Sequence, residues 1–354
     1  MVKRQATLED VAALAGVSQQ TVSRVLNNPG IVSARTQEKV LDAMARLSYV
    51  PNRSAQLLAG KALPTLGLIT TSLNLHAPSQ IAAAVKIHAA ARGYQVVISM
   101  AETLELPAIR AILDEFRAQN LDRAIISLPL EKEDAERLAA GHPEMQCLFL
   151  DVPPDAGVHH LGFDHRDGSR SSIEHLWALG HRRFALLAGP MSSVSARLRL
   201  GSWQETLAGL GAEDAPTAHG DWSASSGWTQ AMALLRQAPD ITAMLVANDQ
   251  MALGALHALH QSGRRVPQDL SVIGYDDTPD SQFFLPALTT VAQDFDLLGE
   301  RAVQHALALD PSQAHFIDEL LPTALVLRQS TAARRTLDAR ERRIEQVKAW
   351  VAAL

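Results

Sequence analysis

Two sets of side chains in this 354-residue chain have types suited to recognition chemistry, the first also by its spacing. The first is compact: Gln19, Gln20, Thr21, Ser23 and Arg24. Amide, hydroxyl and guanidinium groups of this kind hydrogen-bond base edges and phosphates in a DNA major groove. The second set is dispersed: Asp151, Arg199, Asn248, Asp276 and Gln293. Carboxylates accept from hydroxyls, a guanidinium donates a fork and amides do both, which is the chemistry that holds a sugar ring by its hydroxyls. Trp222 and Phe295 offer flat apolar surfaces for a ring face, and Leu75, Pro78, Ile81, Leu150 and Phe163 offer apolar lining.

The elements that must carry the first set are legible. Leu8 to Asn27 reads as helix, tight turn, helix. Val11, Ala12, Leu14 and Ala15 give the first helix an apolar face. Gly16 permits the turn, Val17 plugs the angle, and Ser18 can cap the second helix. Val22, Val25 and Leu26 then point inward, leaving the polar set outward. A third helix follows from Ser33 to Leu47.

After Pro64 short apolar runs alternate with helical segments. Strands are expected at Thr65–Thr71, Gln95–Met100, Arg123–Leu128, Gln146–Asp151, Arg183–Ala188, Ala243–Ala247 and Ser271–Tyr275. Helices are expected near Ser79–Arg92, Pro107–Gln119, Gly168–Leu179, Ser195–Leu210, Gly227–Gln237 and Asp249–Gln261. This alternation is that of an α/β protein with parallel sheets, whose ligands sit beyond the carboxyl ends of the strands. Thr71, Asp151, Asn248 and Asp276 fall at such ends. Taken singly, Asn248 and Asp249 also read as helix caps, Asp276-Asp277 as a turn, and Leu200 and Leu253 as core.

The run Asp10-Val11-Ala12 through Ala15-Gly16-Val17-Ser18 to Thr21-Val22-Ser23-Arg24-Val25 and Asn27 resembles the lac repressor/galactose repressor family of bacterial regulators. The likeness continues through Leu75–Ile81, Leu187–Leu200, Gly220–Ala224, Ala243–Ala255, Gly274–Thr278 and Leu288–Thr290, spanning Ala6 to about Arg328. It implies an N-terminal helix-turn-helix head, two periplasmic-binding-protein-like Rossmann-type subdomains joined by three crossovers with a sugar cleft between them, and a short C-terminal oligomerisation helix. The corresponding boundaries are 1–51 for the head, 52–61 for a hinge helix, 62–332 for the core and 333–354 for the tail. Within the core one subdomain takes 62–162 with 292–322 and the other 163–291 with 323–332.

The resemblance assigns DNA contacts to Thr7, Leu8, Ser18, Gln19, Gln20, Thr21, Ser23, Arg24, Asn27, Ser33, Thr36 and Tyr49, and in the hinge to Asn52, Ala55, Gln56 and Leu58. Leu58 is the apolar wedge that kinks the minor groove. The nine residues Asn52 to Gly60 are too few to hold a helix alone, so the hinge is expected to order on DNA with its dimer mate. The resemblance makes Asn248, Asp276, Arg199 and Asp151 the holders of the sugar hydroxyls, flanked by Ser193 and Ser195, with Thr71 and Ala77 in the same cleft. It also puts His76 and Asp280 in a charged contact at a dimer interface, with Lys86 nearby.

The implied function is a transcriptional repressor. It binds a near-palindromic operator as a homodimer and is released by a β-galactoside inducer, so controlling galactoside catabolism. The alternative is a same-family repressor that answers another sugar or uses it as co-repressor. Leu337, Ile344, Val347, Val351 and Leu354 form a short apolar stripe of about two and a half heptads, which needs association to persist and extends the expectation to a homotetramer. Gln19, Glu9 and Ser54 depart from lac-type members, which carry two aromatic residues and an apolar hinge residue there. The half-site is therefore open to differ.

Composition agrees. Through Lys61 there are eight Lys and Arg against four Asp and Glu, a net of +4, and the whole chain carries −6, leaving −10 for the remainder. A basic head on an acidic body attracts phosphate locally. No apolar run suggests a signal peptide or a membrane span, and the single cysteine, Cys147, excludes an internal disulfide, so a bacterial cytoplasmic protein associated with the nucleoid is expected. No cofactor is expected. Asp151 and Asp276 could serve as a glycosidase pair, but the DNA-reading head and receptor-like pattern account for the same residues, and no enzyme is expected. His159, His160 and His165 lack metal-ligand spacing and read as strand and loop histidines, not a metal site.

Overall fold

The computed structural model describes residues 6–27, 29–49, 64–212, 214–310 and 315–334. They belong to two compact units, divided between Leu63 and Pro64.

The head contains α1 (Leu8–Ala15), α2 (Gln19–Asn27) and α3 (Ala34–Leu47). Thr7 and Asp10 close a capping box on α1: the Thr7 N–H donates to Asp10 Oδ2 at 2.7 Å, and its hydroxyl accepts from the Asp10 N–H at 3.3 Å. Gly16 turns the chain in the left-handed region, φ +67°. Ser18 Oγ accepts from the Thr21 N–H at 3.1 Å, capping α2 as its side chain predicts. Val11, Ala12, Ala15, Val22, Val25, Val40 and Ala43 form the head's core, with Val17 and Leu26 packed against it. Leu14 departs from expectation and is exposed. It lies about 200° around the helix from Ala12, off the buried stripe.

The body holds two six-stranded sheets. The first contains β1 (Thr65–Thr70), β2 (Gln95–Met100), β3 (Arg123–Pro129), β4 (Gln146–Asp151), β5 (His160–Phe163) and β11 (Asp318–Leu321), ordered β11-β5-β4-β3-β1-β2 and wholly parallel. The second contains β6 (Phe184–Ala188), β7 (Thr217–His219), β8 (Ala243–Val246), β9 (Ser271–Asp276), β10 (Thr289–Ala292) and β12 (Ala324–Val326), ordered β12-β10-β9-β8-β6-β7. Only its β10–β12 pairing is antiparallel. The chain passes between the sheets after β5, after β10 and after β11.

The helices are α4 (His76–Ala91), α5 (Leu106–Ala118), α6 (Lys132–Gly141), α7 (His165–Ala178), α8 (Val194–Gly209), α9 (Ala224–Gln237), α10 (Asp249–Gln261) and α11 (Phe295–Ala308). All seven strands and six body helices expected from the sequence are present, within four residues at their ends. Outside that expectation lie α6, α11 and the strands β5, β7, β10, β11 and β12. Those strands have only three or four residues, too short for a periodic signal. Helix α6 is mainly polar, burying only Ala135 and Leu138. Leu253 is a second exposed leucine read as core: it faces away on α10 while Met251, Ala252 and Ala255 are buried. Cys147 is buried in β4, where burial and then Glu144 push its thiol up to about 12.

Candidate ligand cleft and nucleic-acid interface

On the head, Gln19, Gln20 and Arg24 are exposed on α2, while Thr21 and Ser23 are half-buried beside them. The Ser18 and Thr21 hydroxyls bond each other at 2.9 Å, as do those of Ser33 and Thr36 at the start of α3. Thr7 is exposed but committed to its capping box, Leu8 and Tyr49 pack against the core, and Asn27 ends α2. The hinge residues Asn52, Ala55, Gln56 and Leu58, and the C-terminal stripe from Leu337, lie outside the described residues.

In the body a cavity of about 230 Å³ opens at the carboxyl ends of the strands. From the first sheet's side it is lined by Thr71, Leu75, Ala77, Pro78, Ile81, Leu150, Asp151 and Phe163. Ser193, Ser195, Arg199, Trp222, Asn248 and Asp276 line the opposite side, with Gln293 and Phe295 at a crossing between the sheets. Every residue expected in the cleft therefore lines it. Strand geometry explains the convergence: Asp151 ends β4, Asp276 ends β9, and Asn248 follows β8 by two residues.

The buried Arg199 guanidinium organises the polar half. Its Nε donates to His165 Nδ1 at 3.4 Å, its Nη1 to the Ala247 carbonyl and, at 3.5 Å, to Asp276 Oδ1, and its Nη2 to Gln293 Oε1 at 3.3 Å. The guanidinium carbon lies 3.8 Å from the centroid of the Tyr275 ring, a cation–π contact. Arginine has five N–H donors, so these four bonds leave one for a ligand. Because arginine only donates, His165 Nδ1 must accept, as it also can from the Tyr275 hydroxyl at 3.3 Å. Its proton therefore sits on Nε2. Burial, then the Arg199 charge, hold His165 well below the usual range, keeping it neutral.

Asp276 is 4% exposed. Its Oδ1 accepts from Gln293 Nε2 at 2.7 Å as well as from Arg199, while its Oδ2 takes no bond from the described residues. Burial pushes its carboxyl up to about 6 against the opposing pull of Arg199 and Gln293, so it is ionised at neutral pH. Burial likewise raises Asp151, opposed by the N–H and hydroxyl of Ser195 and by Arg199.

The two readings of Asn248 are both realised. Its Oδ1 caps α10, accepting from the Met251 N–H at 2.9 Å, and its Nδ2 donates to the Trp222 carbonyl at 3.1 Å while it lines the cleft. Trp222 has φ +76°, a left-handed backbone that a bulky residue holds only when its surroundings impose it. Its indole lies on Gly189, where any Cβ would overlap the ring. Asp276 (φ +108°) and Asp277 (φ +54°) make the strained turn anticipated there. Ser193 caps α8 through the Ala196 N–H, and its hydroxyl meets that of Ser195 at 3.1 Å.

The apolar half is built on Phe295, edge-on to Phe163 and to His76 with centroids 5.6 Å apart in both cases. Burial, opposed by the charge of Asp280, lowers His76; the contact expected of the pair belongs to a dimer interface, which the single chain does not contain. Lys86 is exposed on α4. Contacts also cross between the two sheets' sides of the cleft: the N–H of His76, which starts α4, donates to Gln250 Oε1 on α10 at 3.1 Å, and Arg197 Nη2 on α8 donates at 2.7 Å to Oε1 of Glu131, the residue before α6.

Among the lining residues that sequence reasoning omitted are Ser127, His165 and Gln250. Ser127 was findable, since it sits within two residues of the carboxyl end of β3. His165 was not: it opens α7 after β5, a strand too short to read, and is neither a strand nor a loop histidine. His160 lies in β5, and among the described residues no group of His, Cys, Asp and Glu is placed to hold a metal ion. No described helix is long and apolar enough to cross a membrane.

Residues 7–52 match the family of bacterial regulatory proteins, lacI family, and residues 173–331 match the periplasmic binding protein-like domain. The lactose operon repressor of Klebsiella pneumoniae is 55% identical over 354 residues, the full length of both chains. That of Escherichia coli (strain K12) is 50% identical over 336 residues, 95% of this chain and 93% of the relative. The crystal structure of the lac repressor dimer bound to operator and the anti-inducer ONPF matches with a TM-score of 0.86 at 50% identity, covering 93% of this chain and 100% of that one.

Proposed function

The chain belongs to the lacI family of bacterial regulatory proteins, and we propose that it represses a lactose operon by holding a near-palindromic operator as a dimer until a galactoside enters its cleft. It is a regulator and not an enzyme, like the repressors it is similar to over its full length. The observation that carries the ligand reading is the unspent hydrogen-bonding capacity around Arg199 and Asp276. One guanidinium N–H and the Asp276 Oδ2 remain for a ligand inside a cleft walled by Trp222 and Phe295. A site with such groups rejects a sugar that lacks or inverts the matching hydroxyl, because the buried polar atoms would stay unpaired.

The head supplies sequence reading through Gln19, Gln20 and Arg24, and the hinge residues Asn52, Ala55, Gln56 and Leu58 complete the operator contact in the paired state. Release is a population shift. Sugar favours an arrangement of the two sheets that separates the hinges, and moving occupancy from nearly full to nearly empty needs a preference of about 5.5 kcal/mol. The His76–Gln250 and Arg197–Glu131 contacts cross between the sheets, so they are placed to feel that rearrangement. The core divides at 62–162 with 292–322 and 163–291 with 323–332, and the stripe from Leu337 to Leu354 joins two dimers into a tetramer. The protein works in the cytoplasm, on the nucleoid.

Calorimetric titration with isopropyl thiogalactoside, glucose as control, tests the cleft. One saturable site per chain is expected. Absence of binding would assign the cleft to another ligand and end the galactoside reading.

A further inference from the structure

The cleft uses Asn248, but the next residue, Asp249, is more deeply buried and has no part in lining it. Asp249 Oδ2 accepts from the Thr278 N–H at 2.9 Å, and its Oδ1 accepts from the Thr290 hydroxyl at 2.6 Å. Gly274 admits it, since any Cβ there would overlap Oδ1. One carboxyl thus ties the start of α10 to β10 and to the segment that leaves β9. That segment is the turn Asp276-Asp277-Thr278, with two successive left-handed residues, a conformation of appreciable cost that surroundings must over-determine. Arg328 holds one side, donating from Nη2 to Asp277 Oδ1 at 2.6 Å. Asp249 holds the other.

We infer that Asp249 is a positioning residue of the cleft: its bonds to Thr278 and Thr290 fix the strained turn that presents Asp276 to the ligand. The inference rests on the cleft being the ligand site. No described cation pairs with Asp249. The charged groups around it are Asp276 and Asp277, whose own partners are Arg199 and Arg328; His165 and Tyr275 lie beyond Arg199. Burial, then the Asp276 charge, push its carboxyl up to about 8, against the hydrogen bonds from Thr290 and Thr278. At neutral pH the acid form prevails, with Oδ1 accepting from the Thr290 hydroxyl and Oδ2 from the Thr278 N–H. An Asn is uncharged, keeps an acceptor for the Thr278 N–H, and holds Thr290 by donating its amide N–H to the hydroxyl oxygen. Above about pH 8 ionisation sets a second buried negative charge behind Asp276, and the turn loosens.

The full-length wild type, Asp249→Ala, Asp249→Asn and Thr290→Val are titrated with isopropyl thiogalactoside from about pH 6.5 to pH 9.5, and hydrogen exchange of residues 274–282 is followed without ligand. Asp249→Ala is expected to weaken binding about tenfold or more and to speed exchange at Thr278. Asp249→Asn is expected to recover most of that affinity and to abolish the decline above about pH 8. Wild-type affinity and exchange in Asp249→Ala would overturn the inference, as would an alkaline decline that persists in Asp249→Asn. If Asp249→Ala does not fold, Thr290→Val, which removes one of the two bonds, decides by the same two readouts: weaker binding with faster exchange supports the role, and no change in either overturns it. A wild type that binds no galactoside defeats the ligand reading alone, because the exchange measurement still decides whether Asp249 holds the turn.

Discussion

Gln293 donates its side-chain amide to Oδ1 of Asp276 at 2.7 Å, although the two lie seventeen residues apart, Asp276 ending β9 and Gln293 following β10. The parallel register of β9 and β10 brings them together: Ala292 is paired with Asp276, so the next residue reaches the carboxylate. The bond turns Asp276 into a one-sided acceptor, with Oδ1 satisfied by protein and Oδ2 left to the cleft.

Replacing Gln293 by Leu removes that donor and leaves Arg199 Nη2 without its acceptor. Calorimetric titration should show galactoside affinity lower by about 1.5–3 kcal/mol, the usual worth of a hydrogen bond to a charged group. Operator binding in a gel shift should be retained. An unchanged affinity would remove Gln293 from the site.

Arg199→Lys keeps the charge and loses the geometry. A lysine has three donors on one atom and cannot serve His165, Ala247, Asp276 and Gln293 together, nor stack on Tyr275. Galactoside affinity is expected to fall at least tenfold, and a reporter under the operator should become insensitive to inducer while staying repressed.

Asp276 sets an acid limit on ligand binding. Its folded value near 6 lies above the ordinary carboxylate value of about 3.9, so lowering pH protonates it in the folded protein first. Affinity should be level above about pH 7 and roughly tenfold lower at about pH 5, measured by titration in matched buffers. Stability moves the other way. The raised value favours the folded state fully below about pH 4 and loses that contribution as pH rises through about 6, so Asp276→Asn should flatten that part of the melting-temperature profile.

On the head, Gln20→Ala should cost about 1–3 kcal/mol of operator affinity and relax discrimination at one base position, measured by fluorescence anisotropy with matched and substituted duplexes. Arg24→Ala should reduce affinity for all duplexes alike and lower the salt dependence by about one charge, if its contact is a phosphate. Both side chains are exposed, so the melting temperature should not change.

His76→Ala keeps the backbone N–H that donates to Gln250 and removes the imidazole packed edge-on against Phe295. Inducibility in a reporter assay should change more than galactoside affinity by titration. Equal losses in both would assign His76 to ligand binding and not to switching.

The sequence by itself determined the local elements. The reader helix, its turn glycine and its Ser18 cap are encoded within twenty consecutive residues, and the longer strands and amphipathic helices declare themselves by period. It also placed Asp151, Asn248 and Asp276 at strand ends, because an α/β pattern puts ligands there. Tertiary structure alone decided how those ends combine. Whether Asn248 is a cap or a cleft residue is undecidable locally, and the fold makes it both by setting the Trp222 carbonyl 3.1 Å from its amide. The role of His165 depends on β5, four residues long, and its tautomer on an arginine thirty-four positions away. The clamp on the Asp276 turn needs Thr290 and Thr278 brought to Asp249 by pairing between strands. Periodicity records which face of an element is buried. Hydrogen bonds between distant elements leave no period, so only the folded register reveals them.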